Sequence, residues 1–232
     1  CRSLNRADLI IASSNMTANL AKDLTTTPVI TIYPTYMLVK SNETRSKKLH
    51  TNLLSLCRLD RRKGLIESAH ALANLKDEGL DFHWDIAGSG PIENELRNLV
   101  SELNLSDKVT FHGIVDERNK ESLLKKASIF IMPSYQLDRS LEVFGISYIE
   151  AAKEGVPSIA GKIGGAPEAV LNGQTGWCVD GNNVRSIQTA LSEALKSKEL
   201  VEKMGINAKA RFDQELSGSK VFKQLLQSIT DL

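Results

Sequence analysis

The sequence predicts an α/β fold, a parallel sheet with helices on both faces, on three observations. Short apolar runs of strand type alternate with helix-forming segments along almost the whole chain. Caps, glycines and prolines fall at the junctions between them. At 232 residues and 41% hydrophobic content the chain has ample material for a real core.

The elements follow in order. Ala7 to Ala12 reads as a buried strand, Ser13-Ser14-Asn15 as a cap, Met16 to Leu24 as a helix and Val29 to Ile32 as a second strand. Tyr33-Pro34 ends that unit. The polar stretch Lys40 to His50 sets Lys40, Arg45, Lys47 and Lys48 against Glu43 and reads as a linker, with a boundary near residue 40. Beyond it the pattern predicts strand Leu53 to Cys57, helix Leu65 to Glu78, strand Phe82 to Ala87, helix Ile92 to Leu103 and strand Val109 to His112. Helix Asn119 to Lys126, strand Ile129 to Met132 and helix Ile146 to Lys153 come next. Strand Ser158 to Ala160, helix Pro167 to Leu171, a short strand Gly176 to Val179 and two further helices complete the chain, the last around Lys220 to Ile229. Such alternation demands right-handed crossovers, and ligands then gather at the carboxyl ends of the strands. The chain opens Cys1-Arg-Ser with no Met, so a fragment is expected.

The richest segment is Ser140-Leu-Glu142-Val-Phe-Gly145-Ile146-Ser-Tyr-Ile-Glu150, which sets two carboxylates eight residues apart around a helix start. Gly155 and Pro157 stop that helix. Gly145 and Ile146 therefore sit at its N-terminus, where free N–H groups and the helix dipole suit a diphosphate. Glu142 lies in the preceding loop and Glu150 about one turn inside, so one carboxylate can reach sugar hydroxyls and the other ribose hydroxyls. The plain alternative is a surface helix with solvated acids, but the segment is too apolar for that, and carboxylates are rarely buried without a partner.

Three loops fall at strand ends. Arg58-Leu-Asp-Arg-Arg-Lys63-Gly64 offers cations at Arg58 and Lys63, the alternative being a basic surface loop with Arg61 and Arg62 in solvent. Asp85-Ile-Ala-Gly88-Ser-Gly90-Pro91 lacks the third glycine of a dinucleotide fingerprint, Glu93 standing there, so its glycines are expected to be structural. Phe111-His-Gly-Ile114-Val-Asp116 could present backbone to a base edge or be a simple turn.

Other classes are poorly served. Lys plus Arg number 29 against 28 acids and aromatics make up 5%, which gives neither a field nor stacking platforms for nucleic acid. Cys1, Cys57 and Cys178 form no ligand or disulfide pattern, nor do His50, His70, His83 and His112, so no metal is expected and a reducing compartment is. No GxxxxGK[ST], GxSxG, HExxH or Asp-x-Asp motif is present. No apolar run approaches the roughly 20 residues of a membrane span, so a soluble, cytoplasmic chain is expected, with peripheral membrane association open.

In order, Arg58-x4-Lys63-Gly64, Gly88-Ser89-Gly90-Pro91, Phe111-x-Gly113, Pro133-Ser134, Glu142-x7-Glu150-Ala151, Gly155-x-Pro157, Gly164-Gly165-x-Pro167-Glu168 and Asn172-Gly173-x-Thr175-Gly176 resemble glycosyltransferase family 4, over about Leu53 to Phe212. The wording from Glu142 to Glu168 looks closest to bacterial mannosyltransferases of the phosphatidylinositol-mannoside type. The resemblance implies a retaining, metal-independent enzyme of two Rossmann-like domains, the GT-B fold. By it, Arg58 and Lys63 grip the donor diphosphate with the backbone of Gly145 and Ile146, Glu142 contacts the sugar, Glu150 the ribose, and Ile114 backbone the base. Glu142, Arg58 and Lys63 are the implied catalytic set. Residues 1–40 would be the end of an acceptor domain with its linker, 41–212 the donor-binding domain, and 213–232 a helix crossing back. The implied substrates are a nucleotide sugar, a GDP-sugar favoured over a UDP-sugar, and a lipid or glycan acceptor. Most of the acceptor domain is missing from the pattern, so the chain is expected to bind donor and to be inactive alone. The competing readings are a nucleotide-binding module without catalysis, or another GT-B enzyme such as a sugar-nucleotide epimerase.

Overall fold

The computed structural model describes residues 3–35 and 51–230. The linker expected over Lys40 to His50, with the boundary near residue 40, therefore lies outside the described residues.

The amino-terminal unit runs β1 (Ile10–Ala12), α1 (Asn15–Lys22) and β2 (Val29–Thr31), its two strands parallel. The first strand is shorter than the sequence predicts, because Leu4–Arg6 close into a 3-10 turn ahead of it. Helix α1 starts as its cap dictates: the Ser14 hydroxyl accepts from Thr17 N–H, and the Thr17 hydroxyl accepts from Ser14 N–H.

The body is one parallel sheet of β3 (Asn52–Leu56), β4 (His83–Ala87), β5 (Val109–Gly113), β6 (Ile129–Met132), β7 (Ser158–Gly161) and β8 (Gly176–Val179). Its order is β5-β4-β3-β6-β7-β8. The chain thus builds outward from β3 on one side, returns, and builds outward from β6 on the other. That reversal opens a crevice beyond the carboxyl ends of β3 and β6.

Helices cover both faces: α2 (Leu65–Asp77), α3 (Glu93–Glu102), α4 (Glu117–Lys126), α5 (Ile146–Lys153), the short α6 (Ala166–Ala169), α7 (Val184–Lys196) and α8 (Lys198–Arg211). Alternating residues of each strand feed opposite cores. In β6, Ile129 and Ile131 pack with Leu72, Trp84 and Leu191, while Phe130 and Met132 pack with Tyr148, Ile149 and Phe212. Each large side chain buried this way contributes about 1.5–3 kcal/mol. The polar atoms inside are matched, as Ser55 shows: its hydroxyl donates to the Ile131 carbonyl at 2.6 Å and accepts from the Trp84 indole at 3.0 Å.

Helix α4 begins two residues before the sequence reading, because Asp116 rather than a later residue caps it, accepting from Asn119 N–H at 2.8 Å. A π-turn over Phe212–Leu216, with no signal in the sequence, joins α8 to the last helix, α9 (Gly218–Thr230). Gln224 of α9 donates to the Thr31 carbonyl at 3.4 Å, and Thr35 donates to the Leu216 carbonyl at 2.6 Å. So the end of the chain touches its beginning. No helix among the described residues is long and apolar enough to cross a membrane.

Candidate functional site

The loops leaving β3, β4, β5 and β6 converge where the strand order reverses. After β3, Asp60 caps a 3-10 turn Arg61–Lys63, and Gly64 ends it at φ 73°. After β4, Gly88 passes so near the β3 loop that a Cβ there would lie 1.9 Å from the Cys57 carbonyl oxygen. The glycines of this second loop are structural, as the failed fingerprint implied. After β6, a long loop carries Glu142 and ends at Gly145, whose φ of 91° aims the chain into α5 and leaves no room for a Cβ, 2.4 Å from the Tyr148 ring. No side chain caps α5. Its first N–H groups and dipole are thus turned toward the crevice, where an anion would be favoured.

A cleft of about 270 Å³ lies in this crevice. Its walls are Cys57 and Arg58 after β3, Gly88 and Ser89 after β4, Ile114 and Val115 after β5, Lys120 of α4, and Ser147 and Glu150 of α5. The structure therefore brings together Arg58, Ile114 and Glu150, three residues singled out in the sequence. Ile114 is 83% exposed, a residue held on the wall by its backbone rather than by packing. Burial pushes the Cys57 thiol up to about 12, which leaves it a neutral lining group. A larger depression of about 910 Å³ sits far away, on the outer layer between α2 and α7, lined by Asn74, Arg185 and Gln188. Size does not mark the strand-end site; convergence does.

Lys63 and Glu142 are not in the cleft wall. They form a separate charged knot: Lys63, itself buried, donates to Glu142 Oε2, and Arg62 reaches the same oxygen at 3.1 Å. The alternative reading of this loop put Arg62 in solvent, but its side chain is 20% exposed and engaged. The cause is plain, since a carboxylate side chain that is only 12% exposed needs cations around it. Arg61 does face out, paired with Glu95 at 2.7 Å.

Glu150 is buried too, and Lys120 binds it at 2.6 Å while also holding Glu117. Burial works against the Lys120 ammonium, but its bonds to Glu117 and Glu150 win and hold it above its ordinary value. Neither Arg62 nor Lys120 was picked out in the sequence. The helix was read from Asn119, which leaves Glu117 outside it, and the reach of Lys120 from α4 to α5 is tertiary. Among the described residues, no three of His, Cys, Asp and Glu are placed to hold a metal ion. Two of the described histidines make surface pairs: His112 meets Asp85 at 2.6 Å and His83 meets Thr110 at 3.0 Å.

The chain is similar to known proteins in sequence and in fold. The family "Glycosyl transferases group 1" matches residues 40–211. The GDP-mannose-dependent alpha-(1-6)-phosphatidylinositol monomannoside mannosyltransferase of Mycolicibacterium smegmatis is 35% identical over 156 residues, 66% of this chain and 41% of that protein. The putative colanic acid biosynthesis glycosyltransferase WcaL of Salmonella typhimurium is 28% identical over 175 residues, 75% of this chain and 43% of that protein. This chain thus spans less than half the length of these relatives. Among solved structures, the sucrose-phosphate synthase of Thermosynechococcus elongatus superposes with a TM-score of 0.80 at 25% identity, covering 98% of this chain and 59% of that one. Anabaena Alr3699/HepE in complex with UDP and glucose gives 0.79 at 21% identity, covering 98% and 65%. The match extends over most of the chain and coincides with the converging loops: this protein belongs to the group 1 glycosyl transferases.

Proposed function

We propose that this chain is the donor-binding half of a retaining glycosyltransferase that passes a hexose, mannose in first place, from a nucleoside diphosphate sugar to a lipid or glycan acceptor. The observation that carries it is the cleft at the strand-order reversal, where Arg58, Ile114, Glu150 and the uncapped start of α5 meet. A diphosphate at the α5 N-terminus meets Arg58 on one side. Glu150 then lies within the same cleft for the ribose, and the backbone at Ile114 for the base.

Lys63 and Glu142 supply the chemistry. Breaking the glycosidic bond to phosphate leaves negative charge on the departing group and positive charge on the sugar. The Lys63 ammonium on one side and the Glu142 carboxylate on the other favour that separation, because little solvent reaches either side chain to screen them. In the free chain they satisfy each other, and Arg62 keeps Glu142 partnered when Lys63 turns to the diphosphate. No metal is required in this reading, the cations and helix N–H groups carrying the phosphate charge. GDP is favoured over UDP because a mannosyltransferase relative is named GDP-mannose-dependent. Residues 1–40 and 213–232 are read as parts that belong with an acceptor domain, and the chain as acting in the cytoplasm, at the inner face of the membrane when its acceptor is a lipid.

Calorimetric titration with GDP, UDP and ADP tests this. One diphosphate should bind, with binding lost in Arg58→Ala and Glu150→Ala, while the 232-residue chain transfers no sugar. Failure of all three to bind refutes the donor site, and sugar transfer by this chain refutes its being half of one.

A further inference from the structure

The amino-terminal unit is pressed directly onto the donor turn. The Tyr33 ring, just past β2, stacks on Phe144 with centroids 4.9 Å apart and planes 14° from parallel. Phe144 is 2% exposed and lies between Glu142 and Gly145, so the stack covers the very backbone that carries the carboxylate and turns into α5. On the other side, Gly165 donates its N–H to the Glu142 carbonyl at 2.8 Å. The turn is held from two directions.

A second set of contacts fixes Tyr33 in that place. The Glu168 carboxylate accepts from the N–H groups of Asn15 and Met16 at 2.7 and 2.9 Å, joining the α1 N-terminus to the short helix α6 that follows Gly165. Asn15 in turn donates from its side chain to the Tyr33 hydroxyl at 3.0 Å. Arg211 donates to the carbonyls of Glu168 and Ala169 at 2.6 and 2.8 Å, which anchors α6 to α8. Helix N-terminus, carboxylate and ring make one closed chain of contacts ending on Phe144. Charge-assisted bonds and a stacked pair of this kind are directional, so they fix an orientation and not only a proximity.

We propose that Tyr33 is a positioning residue for the donor: through Phe144 it holds the Glu142–Gly145 turn and the first N–H groups of α5 in their binding geometry. The inference rests on the donor-site reading. It adds that the amino-terminal unit is part of the donor site's scaffold. By linkage, the seating of the Tyr33 ring on Phe144 and the binding of a nucleoside diphosphate then strengthen each other.

The test compares Tyr33→Ala, Tyr33→Phe and Thr35→Ala in the 232-residue chain. Two readouts are taken, amide hydrogen exchange over Ile146 to Tyr148 without ligand, and GDP and UDP affinity by calorimetry. Tyr33→Ala should speed exchange at those amides and weaken the bound diphosphate about five- to tenfold, at the low end of the usual coupling between sites. Tyr33→Phe keeps the ring on Phe144 and loses only the hydroxyl that Asn15 reaches, so it should move both readouts less than Tyr33→Ala does. Thr35→Ala loosens the same unit by removing its bond to the Leu216 carbonyl, without touching Phe144, and should leave both readouts in place. The proposal is overturned if Tyr33→Ala leaves α5 exchange and affinity as in wild type, or if Thr35→Ala moves them equally. If wild type binds no diphosphate, the donor reading fails, and the exchange experiment alone then decides whether Tyr33 holds the turn.

Discussion

The body and the amino-terminal unit are built from the same strand-helix-strand element, yet they hold themselves together differently. In the body, strands such as β6 and β7 are buried on both faces, and apolar side chains from the two helical layers meet them. In the unit, Ile11, Leu20 and Leu24 are each at least half exposed, and its buried residues are the small Ala12, Ser14, Ala18 and Thr27. It keeps its place by pins: Glu168 on α1, Tyr33 on Phe144, Thr35 on Leu216. A six-stranded sheet makes its own core, whereas a two-stranded pair must borrow one. The consequence is that stability and position are separable here. The body supplies the first and the polar pins the second.

The sharpest way to break this contrast is truncation on each side. Trp84→Ala empties a fully buried site in the body and should cost about 3–5 kcal/mol in denaturant unfolding. Leu20→Ala, at a position 56% exposed in α1, should stay within about 0.5 kcal/mol. Comparable costs would mean that the unit has a core of its own.

Next in size is the contrast between the two site carboxylates. Glu142→Ala strands a buried ammonium at Lys63 and a half-buried guanidinium at Arg62, a loss on the order of 3 kcal/mol. Glu150→Ala should cost clearly less, because Lys120 keeps Glu117, whose side chain is 88% exposed. Urea midpoints of the two variants give the order directly, and its reversal would show that the knot at Glu142 is not the tighter one.

Smaller again is the pin. Glu168→Gln removes the charge from a cap shared by two N–H groups at the start of α1, worth about 1 kcal/mol. The loss should be local: faster amide exchange throughout α1, and a denaturant midpoint for the body that does not move. A midpoint that falls with the exchange would join the two regions into one cooperative unit.

The same division decides what was legible in the sequence. The body could be read because its central strands are largely apolar and its helices are bounded by their own chemistry, as α5 is by Gly145 before it and Gly155 and Pro157 after. Element ends moved where a cap sits earlier than the apolar pattern does, as Asp116 does for α4. The π-turn at Phe212–Leu216 has no local signal, since its sequence would equally continue α8. In the site, Arg58, Ile114 and Glu150 could be placed together because each follows a strand end, and parallel sheets bring strand ends together. Arg62 and Lys120 could not, because their partners lie 80 and 30 residues away and only the fold brings them close. Tyr33 was read as the end of a strand. Nothing local says that its ring will lie on Phe144.

The smallest expected effect tests how completely the body buries what it contains. Glu67, in the first turn of α2, accepts from the Tyr135 hydroxyl at 3.4 Å through Oε1, while Oε2 is buried with no partner among the described residues. Burial raises its carboxyl above the ordinary range, although its own N–H and the hydroxyl of Tyr135 favour the charged form. The folded state therefore binds this proton more tightly than the unfolded state does. Its contribution to stability is present below the unfolded value of about 4.3 and is lost as pH rises through the higher folded one. Glu67→Gln replaces an unpaired buried charge with a neutral amide, which costs less to leave unpaired. The variant should be more stable than wild type at pH 7, by less than about 1 kcal/mol because solvent still reaches part of the side chain. The gain should shrink toward zero near pH 4. Urea unfolding at both pH values reads this out, and a variant less stable than wild type at pH 7 would show that Glu67 is one buried charge the body has matched after all.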